Sequence, residues 1–427
     1  MTSLETDEIR AKSRVGVGLI GLGTRGVTAI ALNLADLWPV TNLEIVTLSD
    51  RNPDRMDEAR VVIAERYAHV GCHIDPSLHQ DGLDLIANPA VDLVIVASIT
   101  DTHRQFVVPA LEAGKRVYCD KPLAHNVTDA IAIMEAESAT NNQLIMGFTR
   151  RYETPWQRAH ELVAEGAIGN LVMMQVRDII PYHRYLTAWW RRRAWSGGAL
   201  NDKGSHLFDV FNWFAGCNAT SVSGLGGTRM IEPDPTAPER CHECSRDCPY
   251  RRRSATTKAP IGEEFTAHDG SSWLNETDEK FIDDVCVYAP GADIYHNGSI
   301  QFSYANGIIA SYFYTIFGPP SVDEETFELV GTSGRIILTR STGSIDVVRD
   351  HGRTITTIDC RSDNFEGTHF GADAALIREL RRFCDGAPPT VSARAGLEAN
   401  RMVEAALTSM DRNGAQLHMT ELPNALL

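Results

Sequence analysis

Three residues carry the chemistry this sequence can do on an alcohol or a carbonyl: Lys121, Asp202 and His206. Lys121 follows a short apolar run and precedes Pro122. Proline fixes the turn and lacks an N–H donor, so the lysine is aimed by a stiff backbone. An ammonium so placed can hold and polarise a hydroxyl or carbonyl oxygen. Asp202 and His206 are four apart, and on one helical turn both project from the same face. A carboxylate beside an imidazole fixes its tautomer and raises its pKa. That suits a histidine that takes a proton from an alcohol as hydride leaves. The plainer alternatives are a surface lysine before a loop and a capped helix start with a solvated histidine.

A hydride needs an acceptor, and the sequence offers a place for one. The apolar run 15–20 ends in Gly21-Leu22-Gly23-Thr24-Arg25-Gly26. The first glycine permits a tight turn, the second lets the backbone approach a pyrophosphate, and the third lets a helix pack closely on the strand. A second apolar run, 43–48, ends in Ser49-Asp50, and Asp50 can accept hydrogen bonds from adenosine ribose hydroxyls. A carboxylate there repels a 2′-phosphate, which favours NAD. Arg51 follows at once and could bind that phosphate or stack on adenine, which leaves NADP as the alternative.

These turns must be positioned by regular elements. Strands are expected over 15–20, 43–48, 91–97, 116–119 and 143–148, and helices over 27–37, 55–68, 104–113 and 127–139. Such alternation predicts a doubly wound parallel sheet within 14–148, after a polar tail over 1–13. Ligands of these sheets bind at the carboxyl ends of the strands. That singles out the glycine turn, Asp50, the 98–103 loop with Ser98, Thr100 and His103, and Asp120-Lys121-Pro122. From 149 to 427 the pattern becomes α+β. Helices are expected over 152–165, 207–214, 373–383 and 397–410, with a strand at 171–176 and a mostly antiparallel run of strands between 299 and 358. Residues 226–280 are polar and rich in Pro and Gly, and read as an insertion.

The substrate side is less sharply marked. Tyr182, Tyr185, Trp189, Trp190 and Trp195 precede the Asp202 block, and one or two such faces, Trp195 among them, could line a sugar pocket. Asn201 adjoins Asp202 and is a further candidate substrate contact. Arg150 and Arg151 open the second domain, where one of them, Arg150 as the candidate substrate contact, could pair with a substrate oxygen or an acidic neighbour. The run Arg191 to Arg193 reads as a solvated or interface face.

Composition narrows the class. The 427 residues suit two or three domains, and 43% hydrophobic with 22% charged residues is typical of soluble globular proteins. A net charge of −16 argues against nucleic acid and anionic membrane as partners. No signal peptide or membrane-length apolar run is evident, which makes the cytoplasm the default. The nine cysteines are then thiols or metal ligands rather than disulfides. Cys241, Cys244 and Cys248, spaced C-x2-C-x3-C in the insertion, could present three thiolates to a structural zinc. Cys286, Cys217, His242 and His268 are candidates for a fourth ligand; no metal and an iron–sulfur cluster are the other readings.

Together GLGTRG at 21–26 with Asp50, HRQFVVPALEAGKRVYCDKPLAHN at 103–126 and GGALNDKGSHLFD at 197–209 resemble the Gfo/Idh/MocA oxidoreductases, over roughly 14–420. The resemblance implies an N-terminal Rossmann domain and a C-terminal α+β domain with a large, open, mostly antiparallel sheet that commonly mediates dimers or tetramers. It implies NAD(P)-dependent oxidation of a secondary hydroxyl on a sugar, inositol or similar polyol. Lys121 would contact substrate and nicotinamide, His206 would be the acid/base, Asp202 would orient it, and the 98–103 loop would lie beside the nicotinamide ribose. Two departures stand out: Asp120 replaces the usual glutamate before Lys-Pro, and Ser98-Ile99 replaces Thr-Pro. The same fold also serves redox-neutral glycoside hydrolases that use NAD transiently, and a non-catalytic sugar sensor.

Overall fold

The computed structural model describes residues 13–140, 143–180, 183–250, 278–282, 284–318, 325–361 and 369–423. Among these, the strands form two sheets. The first holds β1 (Val15–Ile20), β2 (Leu43–Ser49), β3 (Ser77–His79), β4 (Leu93–Val96), β5 (Arg116–Cys119) and β6 (Leu144–Met146), in the order β3-β2-β1-β4-β5-β6. Every pairing in it is parallel. Its central strands are continuous apolar runs, and β1 and β4 are buried throughout, as a sheet covered on both faces requires. Several covering helices begin with a side-chain cap. Asn52 accepts from Arg55 N at 3.2 Å before Pro53–His69, and Asn126 accepts from Asp129 N at 2.8 Å before Val127–Ser138.

The second sheet holds β7 (Leu171–Ile179), β8 (Ala219–Gly227), β9 (Asn297–Tyr304), β10 (Ile309–Thr315), β11 (Glu325–Gly331), β12 (Gly334–Thr339), β13 (Ser344–Arg349), β14 (Thr354–Asp359) and β15 (Leu417–His418). Their order is β14-β13-β12-β11-β7-β10-β9-β8-β15, and among the described residues only β7 with β10 is parallel. Buried and exposed residues alternate along β9 and β10, so one face packs and the other is open. On the packed face Phe208 meets Phe302 at 4.7 Å between ring centres, and Phe214 meets Phe327 at 5.0 Å.

Helix Ala393–Asp411 contributes to both cores. Its first turns, Ala393 to Ala399, pack with the parallel sheet, and Met402 to Met410 pack with the mixed one. Helix Ala372–Cys384 returns to the first unit and packs against Leu32–Thr41. Two sequence expectations are revised, and one strand has no counterpart among them. The helix expected at 27–37 begins as a wide π-type turn, Arg25–Ala31, and continues as Leu32–Thr41. The strand at 171–176 runs on to Ile179. Ala219–Gly227 is a strand although its Gly- and Ser-rich sequence shows little alternation; pairing with β9, Val222 opposite Phe302, supplies what composition lacks. Most of the tail, 1–12, and residues 251–277 of the insertion lie outside the described residues.

Candidate active site

The strand order sets the first crevice. β1 lies between β2 and β4, so its carboxyl end is the switch point where the chain diverges to either side. Gly21 there has φ +92°, and a Cβ on it would lie 2.6 Å from the backbone of Ala97 and Ser98. A Cβ on Gly26 would lie 2.0 Å from the Gly21 carbonyl oxygen. A Cβ on Gly23 would meet nothing within 4 Å. Gly21 and Gly26 thus close the turn, and Gly23 faces open space. The Asp50 carboxylate accepts from Leu22 N at 2.9 Å and from Asn52 N at 3.0 Å, which ties the end of β2 to that turn. A carboxylate has further acceptor sites for ribose hydroxyls.

Arg25 serves the fold with its side chain. It donates to Asp120 Oδ1 and the Tyr118 hydroxyl, both at 3.1 Å, and to Asp373 Oδ1 at 2.8 Å. Burial alone would depress its charge, but Asp120 and Asp373 hold it charged, well above its ordinary range. The glycine turn is thereby pinned to β5 and to helix Ala372–Cys384. His103 plays a similar part: Nδ1 lies 2.9 Å from Pro122 O and Nε2 3.1 Å from Ser98 O. Burial pushes its pKa down, and a neutral ring can donate only one of these bonds at a time. Ser98 and Thr102 share a hydroxyl contact at 2.7 Å, and Thr100 is buried. The 98–103 loop is thus held to the Lys-Pro turn.

Lys121 leaves the end of β5 across a cis bond to Pro122 and reaches into the second unit. Its Nζ donates to Asp202 Oδ1 at 2.8 Å and to the Asp202 carbonyl oxygen at 2.9 Å. The other carboxylate oxygen accepts from the Tyr185 hydroxyl. Burial lowers the Lys121 pKa, with Lys203 adding to the effect and Asp202 opposing it. For Asp202 burial acts the other way, but Lys121 and Lys203 hold its carboxyl below the usual range. His206 is buried against Phe148, ring centres 5.7 Å apart. Burial, followed by the charges of Lys121, Arg150 and Lys203, depresses its pKa well below the ordinary value. Its Nδ1 has no hydrogen-bond partner among the described residues.

One expected contact is therefore replaced by another. Asp202 engages Lys121 and Tyr185, not the His206 ring, because a buried ammonium is a stronger partner than a neutral imidazole. Asn201 is also committed elsewhere. It donates to Ala124 O at 3.0 Å and Ser196 O at 2.9 Å and accepts from Asn400 at 3.1 Å, fastening the Lys-Pro loop to the second unit. Arg150 takes the acidic neighbours, at 2.9 Å from Glu153 and 2.6 Å from Glu325, rather than an open pocket. Trp195 is half-buried on the short helix Arg193–Ser196, which lies against the Thr100–Thr102 turn.

Among the described residues the cysteine run brings together no metal centre. Cys241 is buried and its N–H is bound to Asp284 O at 2.8 Å, while Cys244 and Cys248 are half-buried. Among the described residues no three His, Cys, Asp or Glu side chains converge as metal ligands. The backbone there is drawn into a bridge between Arg240 and Val285, and His242 Nδ1 lies 2.7 Å from Asp284. His268 lies outside the described residues.

Two contributors had little sequence signal. Tyr185 stood among several aromatics, and only its tertiary contact with Asp202 marks it. Lys203, next to Asp202, adds a second positive charge beside Lys121 and His206. Its position inside the Asn201-to-His206 block was the available clue.

Comparison with known proteins places the chain. A family model for the oxidoreductase NAD-binding Rossmann fold matches residues 15–148, and one for the C-terminal alpha/beta domain of the same oxidoreductases matches 160–417. YteT of Bacillus subtilis, which bears an oxidoreductase name, is 29% identical over 332 residues, 74% of each chain. Inositol 2-dehydrogenase 3 of Saccharopolyspora erythraea is 37% identical over 200 residues, 47% of this chain and 53% of that protein. Myo-inositol 2-dehydrogenase of Thermotoga maritima is 29% identical over 222 residues, 51% and 59% of the two. The chain thus spans little more than half the length of these inositol dehydrogenases. The structure of levoglucosan dehydrogenase with NADH and levoglucosan superposes with TM-score 0.71 at 17% identity, over 95% of this chain and all of that one. Aldose-aldose oxidoreductase from Caulobacter crescentus with glycerol gives 0.67 at 18%, over 95% and 100%. These two show the shared fold. No helix among the described residues is long and apolar enough to cross a membrane.

Proposed function

The chain belongs to the Gfo/Idh/MocA oxidoreductase family, and from that premise we propose that it oxidises a secondary hydroxyl of a sugar, inositol or related polyol with NAD. One observation carries the reading. The bond from Lys121 to Asp202 joins the carboxyl edge of the dinucleotide sheet to the helical segment that leads into His206. The glycine turn, Asp50 and the 98–103 loop would hold the dinucleotide. When bound, its nicotinamide supplies the hydride acceptor.

The chain's own residues would do the rest. The Lys121 ammonium, held charged by Asp202, donates a hydrogen bond to the substrate oxygen and stabilises negative charge growing there. His206, kept neutral by burial and by the cations around it, accepts the hydroxyl proton. The hydroxyl carbon gives up its hydrogen with both electrons, and the carbon–oxygen bond becomes a carbonyl. Asp202 and Tyr185 fix the lysine, which is a positioning role. Trp195 is offered as a sugar-facing ring, on the strength of its place beside the Thr100–Thr102 turn. Asp50 supports NAD over NADP through repulsion of a 2′-phosphate.

A homo-oligomer fits the open face of the mixed sheet. Met173 of β7 lies in register with Ile309 of β10 and Val330 of β11, and all three are exposed. The test of the function is reduction of NAD and NADP, followed by absorbance, against inositols, aldoses, glycosides and sugar acids. Reduction of NAD by one stereochemical class supports the reading. Silence, with release of aglycone from a glycoside, would replace it with redox-neutral hydrolysis.

A further inference from the structure

Two consecutive side chains of the Glu279–Phe281 turn reach opposite sides of the crevice. The Phe281 ring lies 3.7 Å from the Arg51 guanidinium carbon. Lys280 forms an ion pair with Asp101. Arg51 follows β2, and Asp101 lies in the loop after β4. β1 and its glycine turn lie between those two strands. A segment that touches both flanks must therefore pass across the mouth of the glycine turn.

The turn is also anchored on the far side. Glu279 Oε1 accepts from Arg191 and from Arg192, each at 3.0 Å. Arg191 is itself buried and donates to the carbonyl oxygens of Ala289 and Pro290 at 3.0 and 2.9 Å. Asp278 accepts from Lys280 N at 3.1 Å and sets the bend. The segment thus has a fixed footing in the second unit and two contacts on the first.

We propose that Lys280 and Phe281 form a strap that retains the bound dinucleotide. The acidic end of β2 marks the adenosine half of the crevice, and the β4 side marks the nicotinamide half. Phe281 with Arg51 spans the first and Lys280 with Asp101 the second. A dinucleotide lying along the glycine turn threads beneath both contacts and leaves only when they open. The strap rests on the dinucleotide reading of that crevice. It makes the rate of nucleotide exchange depend on these two contacts.

The test is the rate of NADH release, measured by stopped-flow displacement with excess NAD, for the full chain and for Phe281→Ala, Lys280→Met and the double variant. Release is expected to quicken about tenfold in Phe281→Ala, the scale of one lost cation–π contact, and by about threefold in Lys280→Met. The double variant should be faster than either. Thermal melting of each variant reports that it is folded, and Lys280→Met keeps the size of its side chain if Phe281→Ala does not fold. Release rates within twofold of the parent in folded variants would overturn the strap. A parent chain that binds no NADH would overturn the dinucleotide reading itself, and the strap with it.

Discussion

Nζ of Lys121 lies 2.8 Å from Oδ1 of Asp202, and the carboxylate's other oxygen accepts from Tyr185. The lysine comes from the end of β5 and the aspartate from the segment that leads into His206, 81 residues further along the chain. The contact opposes the effect of burial on the Lys121 ammonium, the group that the proposed reaction sets against the substrate oxygen. Among the described residues His206 Nδ1 has no hydrogen-bond partner, and burial with the nearby cations depresses its pKa, which suits the proton-accepting role proposed for it.

Removal of either reacting group should affect chemistry more than binding. Lys121→Ala and His206→Ala are each expected to lower kcat by about a hundredfold or more, with NADH affinity within a few-fold of the parent. Initial rates and fluorescence titration of NADH check both halves. Near-parental turnover in either variant would remove that residue from the mechanism.

The pH profile carries a signed expectation for Asp202. Burial lowers the Lys121 pKa and Asp202 raises it back. Asp202→Asn removes the raising charge, so the alkaline limb of kcat/KM should move to lower pH. A parent and variant with superimposable profiles would contradict the coupling. For His206 the folded pKa is depressed, so its contribution to stability is present above about 6.5 and is lost as pH falls below that value.

The Arg25 cluster predicts an acid-sensitive fold. Burial works against the Asp373 charge, yet His369 and Arg25 bring its carboxyl down to about 2. A depressed carboxyl stabilises the fold above its unfolded value of about 3.9, and the stabilisation fades as pH falls towards 2. The side chains of Arg25 and Asp373 are 19% and 13% exposed, so the contribution is of the order of 2 kcal/mol. Thermal unfolding between about pH 5 and pH 2 should show this loss in the parent, and Arg25→Ala should be less stable at neutral pH with a flatter acid limb. Equal melting temperatures at neutral pH would contradict it.

The glycines separate binding from stability. Gly23→Ala places a methyl in open space, so the fold should melt at an unchanged temperature while NAD affinity falls by about tenfold or more. Gly26→Ala places a Cβ 2.0 Å from a carbonyl oxygen and should destabilise the fold itself. Calorimetry of melting and of NAD binding distinguishes the two. Unchanged NAD affinity in Gly23→Ala would argue that no pyrophosphate lies there.

Local features were legible in the sequence because their causes are local. The glycine turn, the Lys121-Pro122 pair and the alternating strands each depend on neighbours within a few residues. What escaped depends on partners far along the chain. Asn201 looked like a substrate contact, but Ala124 and Asn400 claim its amide. Arg150 was open to two readings until Glu325, from the mixed sheet, settled its partner. Asp202 was matched with His206 by spacing, whereas Lys121, distant in sequence, takes its charge. Lys280 ends the stretch that reads as an insertion and Phe281 follows it, and only their packing against Arg51 and Asp101 marks them.

The most direct measurement follows the hydrogen. A polyol that reduces NAD is labelled with deuterium at the carbon of the reacting hydroxyl, and the reduced cofactor is isolated after a single turnover and weighed by mass spectrometry. Direct hydride transfer with Lys121 and His206 at the hydroxyl predicts one deuterium in the NADH formed by the parent and no labelled NADH from Lys121→Met over the same time. Labelled NADH from Lys121→Met at the parental rate, or bound NAD that takes no label from any polyol in the panel, would contradict it.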